Sequence, residues 1–232
     1  MNNSNSLHDN SSTKDEKNNT LMQKAIGKNG LILALFALVS TGLIAITYQI
    51  TKDKIAQEIK AALARRLNEI VPANEYDNDA YHDCTIIMNG SLLGQTEPVP
   101  LYRMRNNTQN YAVFTTAIAP EGYSGRIHLA IGIYQNGQVA GVRVTEHSET
   151  PGLGDRIEIE KSDWIMQYSG KSLQQPEPEK WRVKKDGGEF DALTGATITP
   201  RAITKAVYNA LLFYQENSAN LFNGQQNCGI QQ

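Results

Sequence analysis

Residues 30–50 read GLILALFALVSTGLIAITYQI, twenty-one residues without one charged side chain. No other feature limits the fold so strongly. A bilayer core about 30 Å thick is crossed by about 20 helical residues. A helix that is apolar all round must be covered on every side. A soluble core helix would carry a polar face. A cleaved signal peptide would have a shorter apolar region and a small-x-small cleavage site. No cysteine follows closely enough for a lipoprotein site. A retained single-pass transmembrane helix over 30–50 is therefore expected. The preceding MNNSNSLHDNSSTKDEKNNT is polar and Asn/Ser-rich, so residues 1–29 read as a disordered cytoplasmic tail. Lys14, Lys17, Lys24 and Lys28 precede the apolar run, and Lys52, Lys54 and Lys60 follow it. That near-balance leaves orientation to the long trailing domain. Such domains cross largely regardless of charge, so a periplasmic placement is expected.

The chain of 232 residues suits one domain plus this anchor. Its net charge is -2, and no basic block interleaves with aromatics, so nucleic acid is not an expected partner. His8, His82, His128 and His147 lack metal-ligand spacing, and no metal site is expected. After the anchor, Ile55, Ile59, Leu63, Leu67 and Ile70 recur at helical spacing. They predict a stalk over 51–72, ended by Pro72, whose apolar face meets either the domain or a partner. The domain over 73–222 opens with strand-like segments: CTIIM, YAVFTTAIA, RIHLAIGIY and QVAGVRVTEH. Asn136-Gly137 between the last two is a hairpin signal, since both residues tolerate positive φ. HSETPGLGDRIE reads as a Pro/Gly loop and KSDWIMQYSG as a short helix. In TPRAITKAVYNALLFYQEN, Ile203, Val207, Leu211 and Tyr214 share one helical face. Thr199 is its expected N-cap, with Pro200 at the first helical position and Thr204 inside. The fold class is α+β: a twisted antiparallel sheet with packed helices, outside the membrane. Residues 223–232 read as a disordered tail. Cys84 and Cys228 could pair in an oxidising compartment. With Cys228 in a loose tail, no structural disulfide is expected. Trp164 and Trp181 read as core. DGGEF at 186–190 shares letters with a signature of cyclic-dinucleotide synthases, but it lacks an acidic residue and the surrounding domain, so it reads as a turn.

DALTGATITPRAIT, residues 191–204, holds four threonines. With Thr199 and Thr204 assigned to the helix, Thr194 and Thr197 lie just ahead of its N-terminus. Free backbone N–H groups and the positive dipole end favour a phosphate there. Gly195, lacking a Cβ, lets a bulky group approach the backbone. A hydroxyl here either serves a capped turn or meets phosphate, and residue types alone leave both open.

DALTGAT resembles the flavinylation motif of proteins that carry FMN through a phosphoester on threonine. GYSGRIHLAIGI, GVRVTEHSETPGLGDRIE and WRVKKDGGEFDALTGATITPRAIT extend the likeness. From the anchor to about Asn217, the chain resembles the G subunits of the Rnf (Rsx) electron-transport complexes. The resemblance implies a single-pass protein of the bacterial inner membrane with a periplasmic FMN-binding domain. It implies FMN esterified to Thr197 by a transient partner, a flavin transferase that uses FAD. It further implies a place among membrane, iron–sulfur and flavin partners, passing electrons between ferredoxin and NAD and coupling this to ion movement. No catalytic residue is expected in the chain itself. Thr194, Gly195, Ala196 and Asp191 accompany Thr197. Asp191 would serve recognition or a transient metal contact during transfer, or would cap the turn. Glu149, Thr150 and Leu153 are the candidates to flank the ring. His147 either touches the flavin or is a hydrogen-bonded structural residue, and Trp181 is a weaker flavin-side candidate. Two alternatives stay open: the C subunit of a sodium-translocating NADH:quinone reductase, usually longer, and an anchored scaffold or sensor domain without flavin.

Overall fold

The computed structural model describes residues 9–87, 90–224 and 228. Expectations for residues 1–8 and for most of the C-terminal tail lie outside the described residues. The chain forms two compact units, Met1–Ile59 and Lys60–Gln232. The first helix, α1 (Asp9–Ile70), begins well before the apolar run. Residues 9–29, expected as a tail, are helical backbone. Asn, Ser and Thr cost a helix only up to about 0.7 kcal/mol each, and no proline interrupts the segment. Within the first unit α1 carries the apolar run, and Leu31, Phe36 and Leu38 are 70, 73 and 74 % exposed. Among the described residues, this is the one helix long and apolar enough to cross a membrane.

The second unit is built on five antiparallel strands: β1 (Cys84–Ile87), β2 (Val99–Asn106), β3 (Gln109–Ala119), β4 (Ile127–Tyr134) and β5 (Val139–Glu146). They lie in sequence order across one sheet. α2 (Ile198–Asn223) and several short 3-10 turns complete the α+β domain. Val113, Ala117, Leu129, Ile131 and Ile133 point to one face and pack with Ile203, Val207 and Leu211 of α2. Alternate residues Ala112, Phe114 and Ala130 point to the other face. Both faces are covered, so β3 and β4 read as continuous apolar runs rather than as alternation.

The second face is covered by the last turns of α1. Leu63, Leu67, Ile70 and Val71 pack there with Met104 and Phe114. Of the stalk's apolar stripe, Leu63, Leu67 and Ile70 therefore meet the sheet, while Ile55 and Ile59 are 52 and 57 % exposed. Gly132 and Gly141 pair across β4 and β5 and leave a notch for Ile70; a Cβ on Gly132 would lie 2.4 Å from Ile70 Cγ2. Arg143 donates to the Glu69 carbonyl at 2.8 Å, satisfying one of the orphan acceptors at the end of α1.

β2 was not among the expected strands. Pro100, Arg103 and Arg105 mask its pattern. Yet Arg103 is only 1 % exposed. Its Nε donates to Asp83 Oδ1 at 2.7 Å, and its Nη1 to the carbonyls of Leu221 and Gly224 at 3.3 and 2.6 Å. Arg105 reaches Asp83 Oδ2 at 2.7 Å and the Phe222 carbonyl at 2.9 Å. Two guanidinium groups thus cap the last carbonyls of α2, where the helix dipole is negative. Burial alone would raise the Asp83 carboxyl, but hydrogen bonding and charge from Arg105 and Arg103 outweigh it and hold it below the usual carboxylate range. Beside this cluster Cys84 is bonded to Cys228, with Cα atoms 5.6 Å apart. The expectation of no structural disulfide is corrected. The end of α2, up to Gly224, is held against β1 and β2 by the two arginines.

Candidate functional site

Three chain segments meet at the N-terminus of α2 around a cavity of about 240 Å³. The loop between β3 and β4 contributes Tyr123. The segment after β5 contributes Glu149, Thr150, Leu153 and Gly154. The approach to α2 contributes Gly195, Ala196 and Thr197, followed by Ile198 and Thr199 of the helix.

The approach is a tight turn, closed by Ala196 N–H donating to the Leu193 carbonyl at 3.1 Å. Gly195 has φ +84°, which favours glycine, and a Cβ there would lie 2.8 Å from Leu153 Cδ2, so a side chain would also push Leu153 aside. α2 begins at Ile198, with Thr197 in the cap position and its side chain making no capping bond. The expectation that Thr199 caps the helix is corrected, as is Pro200 at the first helical position. Thr199 is fully buried and its hydroxyl donates to Glu149 Oε2 instead. Thr204 lies inside the helix, its hydroxyl 2.8 Å from both the Pro200 carbonyl and the Tyr168 hydroxyl. Thr197 is exposed at the cavity mouth, beside helix N–H groups that have no intrahelical partner.

Glu149 joins the three walls. It is 4 % exposed; Oε2 accepts from Thr199, and Oε1 accepts from the Ser124 backbone N–H at 2.9 Å. Side chains at neighbouring glycines would displace it: a Cβ on Gly122 would lie 2.9 Å from Oε1, and one on Gly154 3.0 Å from Oε2. The Glu149 N–H donates to His147 Nδ1 at 2.9 Å, so the ring proton sits on Nε2 and is donated to Glu158 at 2.8 Å. Lys161 then links Glu158 and Asp155 at 2.7 and 2.9 Å. It is the largest cause holding both carboxyls below their ordinary range. His147 is thus a buttress behind the loop and does not line the cavity.

Of the residues expected here, Glu149, Thr150, Leu153, Gly195, Ala196 and Thr197 come together. Asp191 and Thr194 are not among the lining residues. Asp191 Oδ1 pairs with Lys184 Nζ at 2.5 Å. Its backbone is clamped by two side chains: its carbonyl accepts from Trp164 Nε1 at 2.8 Å, and its N–H donates to Gln167 at 2.7 Å. Trp181 is 6 % exposed, packed on Phe190 and Tyr208, and belongs to the core. Sequence reading missed Tyr123, Gly154, Ile198 and Thr199 as lining residues. Tyr123 lies in GYSGRI, where its loop placement was a usable signal.

The cavity suits FMN chemically. A helix N-terminus and a free hydroxyl are groups that suit a phosphate. Tyr123, Leu153 and Ile198, at 66, 43 and 43 % exposure, offer apolar area to a ring system.

Comparison with known proteins places every lining residue inside one matched span. Residues 22–70 match the family described as the RnfG N-terminal region, and residues 122–212 match the FMN-binding domain. The chain is 45 % identical over 210 residues to the G subunit of the ion-translocating oxidoreductase complex of Pseudoalteromonas atlantica, covering 90 % of this chain and 98 % of that protein. It is 46 % identical over 207 residues to the corresponding protein of Shewanella amazonensis, covering 89 and 96 %. Against that of Vibrio atlanticus it is 43 % identical over 208 residues, covering 90 and 99 %.

Proposed function

Because this chain belongs to the family of G subunits of ion-translocating oxidoreductase complexes, we propose that it carries electrons through FMN joined to Thr197 by a phosphoester. The carrying observation is the Thr197 side chain: exposed, without a capping bond, and at the mouth of a cavity at the N-terminus of α2. When bound, FMN supplies one- and two-electron chemistry, while the protein binds and orients it. Thr197 would hold the phosphoryl group, and the first N–H groups of α2 would face its oxygens. Gly195 would allow the approach, and Leu153 and Ile198 would meet the ring.

Attachment is a phosphoryl transfer. The Thr197 oxygen would bond to the FMN-side phosphorus of FAD as the pyrophosphate bond breaks, its hydroxyl proton would pass to a base, and AMP would leave. An alcohol needs a base or metal to act. Glu149 is the carboxylate among the lining residues, and it already accepts two hydrogen bonds in a buried position. That supports a separate transferase as the source of base and metal. Asp191, exposed beside Lys184, would then belong to the surface that the transferase recognises.

The wider setting follows the family. The partners are the other membrane, iron–sulfur and flavin subunits, and the electrons pass between ferredoxin and NAD. The domain stands in the periplasm, held by one helix of the inner membrane. The bonded Cys84 and Cys228 support an oxidising compartment.

Thr197→Ala in the full chain, co-expressed with the transferase, should give a dark band by in-gel flavin fluorescence after denaturation. The fold should stay within about 0.5 kcal/mol, as for surface changes away from special features. A fluorescent Thr197→Ala band overturns the assignment.

A further inference from the structure

Four large apolar side chains are exposed among the described residues of the second unit: Tyr123, Leu153, Met166 and Ile198. Three of them, Tyr123, Leu153 and Ile198, line the one cavity beside Thr197. Tyr123 is the most exposed, at 66 %, and its hydroxyl has no hydrogen-bond partner among the described residues. Its loop is nevertheless held at the next residue, with an exposed ion pair on the other side. Glu121 pairs with Lys205 of α2 at 3.0 Å, and the Ser124 N–H donates to buried Glu149 at 2.9 Å. A large aromatic ring held out on a fixed loop, at the rim of a cavity, is a surface prepared for a flat ligand.

We propose that Tyr123 is the aromatic face on which the isoalloxazine ring of FMN lies. Aromatic systems prefer offset-stacked contact, and the phenol offers that face while Leu153 and Ile198 supply aliphatic contact. The cavity, at about 240 Å³, falls below the roughly 300–1,000 Å³ of pockets that enclose a drug-sized ligand. It therefore covers part of the flavin and leaves the remaining ring edge open to an electron partner. Glu149 fixes the loop of Tyr123 relative to Thr199, two residues from the attachment point. This inference rests on FMN being attached at Thr197.

The test uses the full chain co-expressed with the transferase, as wild type, Tyr123→Leu and Tyr123→Phe. Flavin emission is read in the native protein and again after denaturation. A phenol in contact with a flavin quenches its emission, so the native wild type should be dim. Tyr123→Leu should brighten native emission several-fold, with denatured emission unchanged. Tyr123→Phe keeps the stacking ring without the phenol, and should brighten less while retaining the wild-type shape of the visible absorption bands. The pins of the loop do not involve the Tyr123 ring, so both variants should fold. Equal native emission from wild type and Tyr123→Leu, at equal denatured emission, overturns the role of Tyr123 and leaves the Thr197 reading standing. A dark denatured wild type overturns both.

Discussion

Thr197 and Thr199 stand two residues apart and carry different loads. Thr197 is exposed, and its hydroxyl makes no capping bond. Thr199 is fully buried, and its hydroxyl is bonded to Glu149. That bond ties the start of α2 to the carboxylate that also holds the Tyr123 loop. Thr199→Val keeps the shape of the side chain and removes the donor. Hydrogen bonds to charged groups contribute about 1.5–3 kcal/mol. At about 2–4 °C per kcal/mol for a domain of this size, the melting temperature should fall by roughly 3–12 °C. Covalent flavin should be retained, since Thr197 is untouched. Calorimetry with in-gel fluorescence checks both parts. A shift below about one degree would mean that the buried bond contributes little.

At the level of elements, two of the strand connections differ in how they use positive φ. Asn136-Gly137 does connect β4 and β5, but only Gly137 uses positive φ, at +82°. Asn136 stays at negative φ, and its side-chain oxygen accepts from Gln138 N–H at 3.0 Å. The turn with two consecutive positive φ values is Asn107-Thr108, at +48° and +67°, between β2 and β3. This pattern belongs to the two-residue turn that matches strand twist. A β-branched residue there is costly: the left-handed region disfavours L-residues by roughly 1–2 kcal/mol. Glycine removes that cost and gives back about 0.5–1 kcal/mol in backbone entropy. Thr108→Gly should therefore stabilise the domain by about 0.5–1 kcal/mol. Denaturant unfolding would show a higher midpoint at unchanged slope. A lower midpoint would mean that the turn does not hold these dihedrals in solution.

For the whole molecule, the paired cysteines bear on which side of a membrane the domain would stand. A disulfide persists where the surroundings are oxidising, and Cys84–Cys228 closes a span of 144 residues. If the domain stands in the periplasm, a reporter active only outside the cytoplasm should work when fused after Gln232. Thiol labelling of denatured, unreduced protein should find neither cysteine, and should find both after reduction. Activity of a cytoplasm-only reporter at that site, or two labelled thiols without reduction, would place the domain on the other side.

Features written within a few turns of chain were legible in the sequence alone. The apolar helix is a matter of length and composition. Four of the five strands show as β-branched and aromatic runs. Residues 191–197 mark the approach to α2, and three of the four lining residues after β5 were expected, because both lie in short contiguous segments. Tertiary structure decided whatever depends on distant partners. β2 was hidden because Arg103 and Arg105 look solvent-facing until Asp83, about twenty residues before them, and the carbonyls of α2, more than a hundred residues after them, are brought alongside. The cap of α2 moved from Thr199 to Thr197 because Glu149, 50 positions earlier, takes the Thr199 hydroxyl. Tyr123 joined the cavity through the bond from Ser124 to the same carboxylate. A buried charge must find its partners wherever the fold places them, and local sequence carries no record of that meeting.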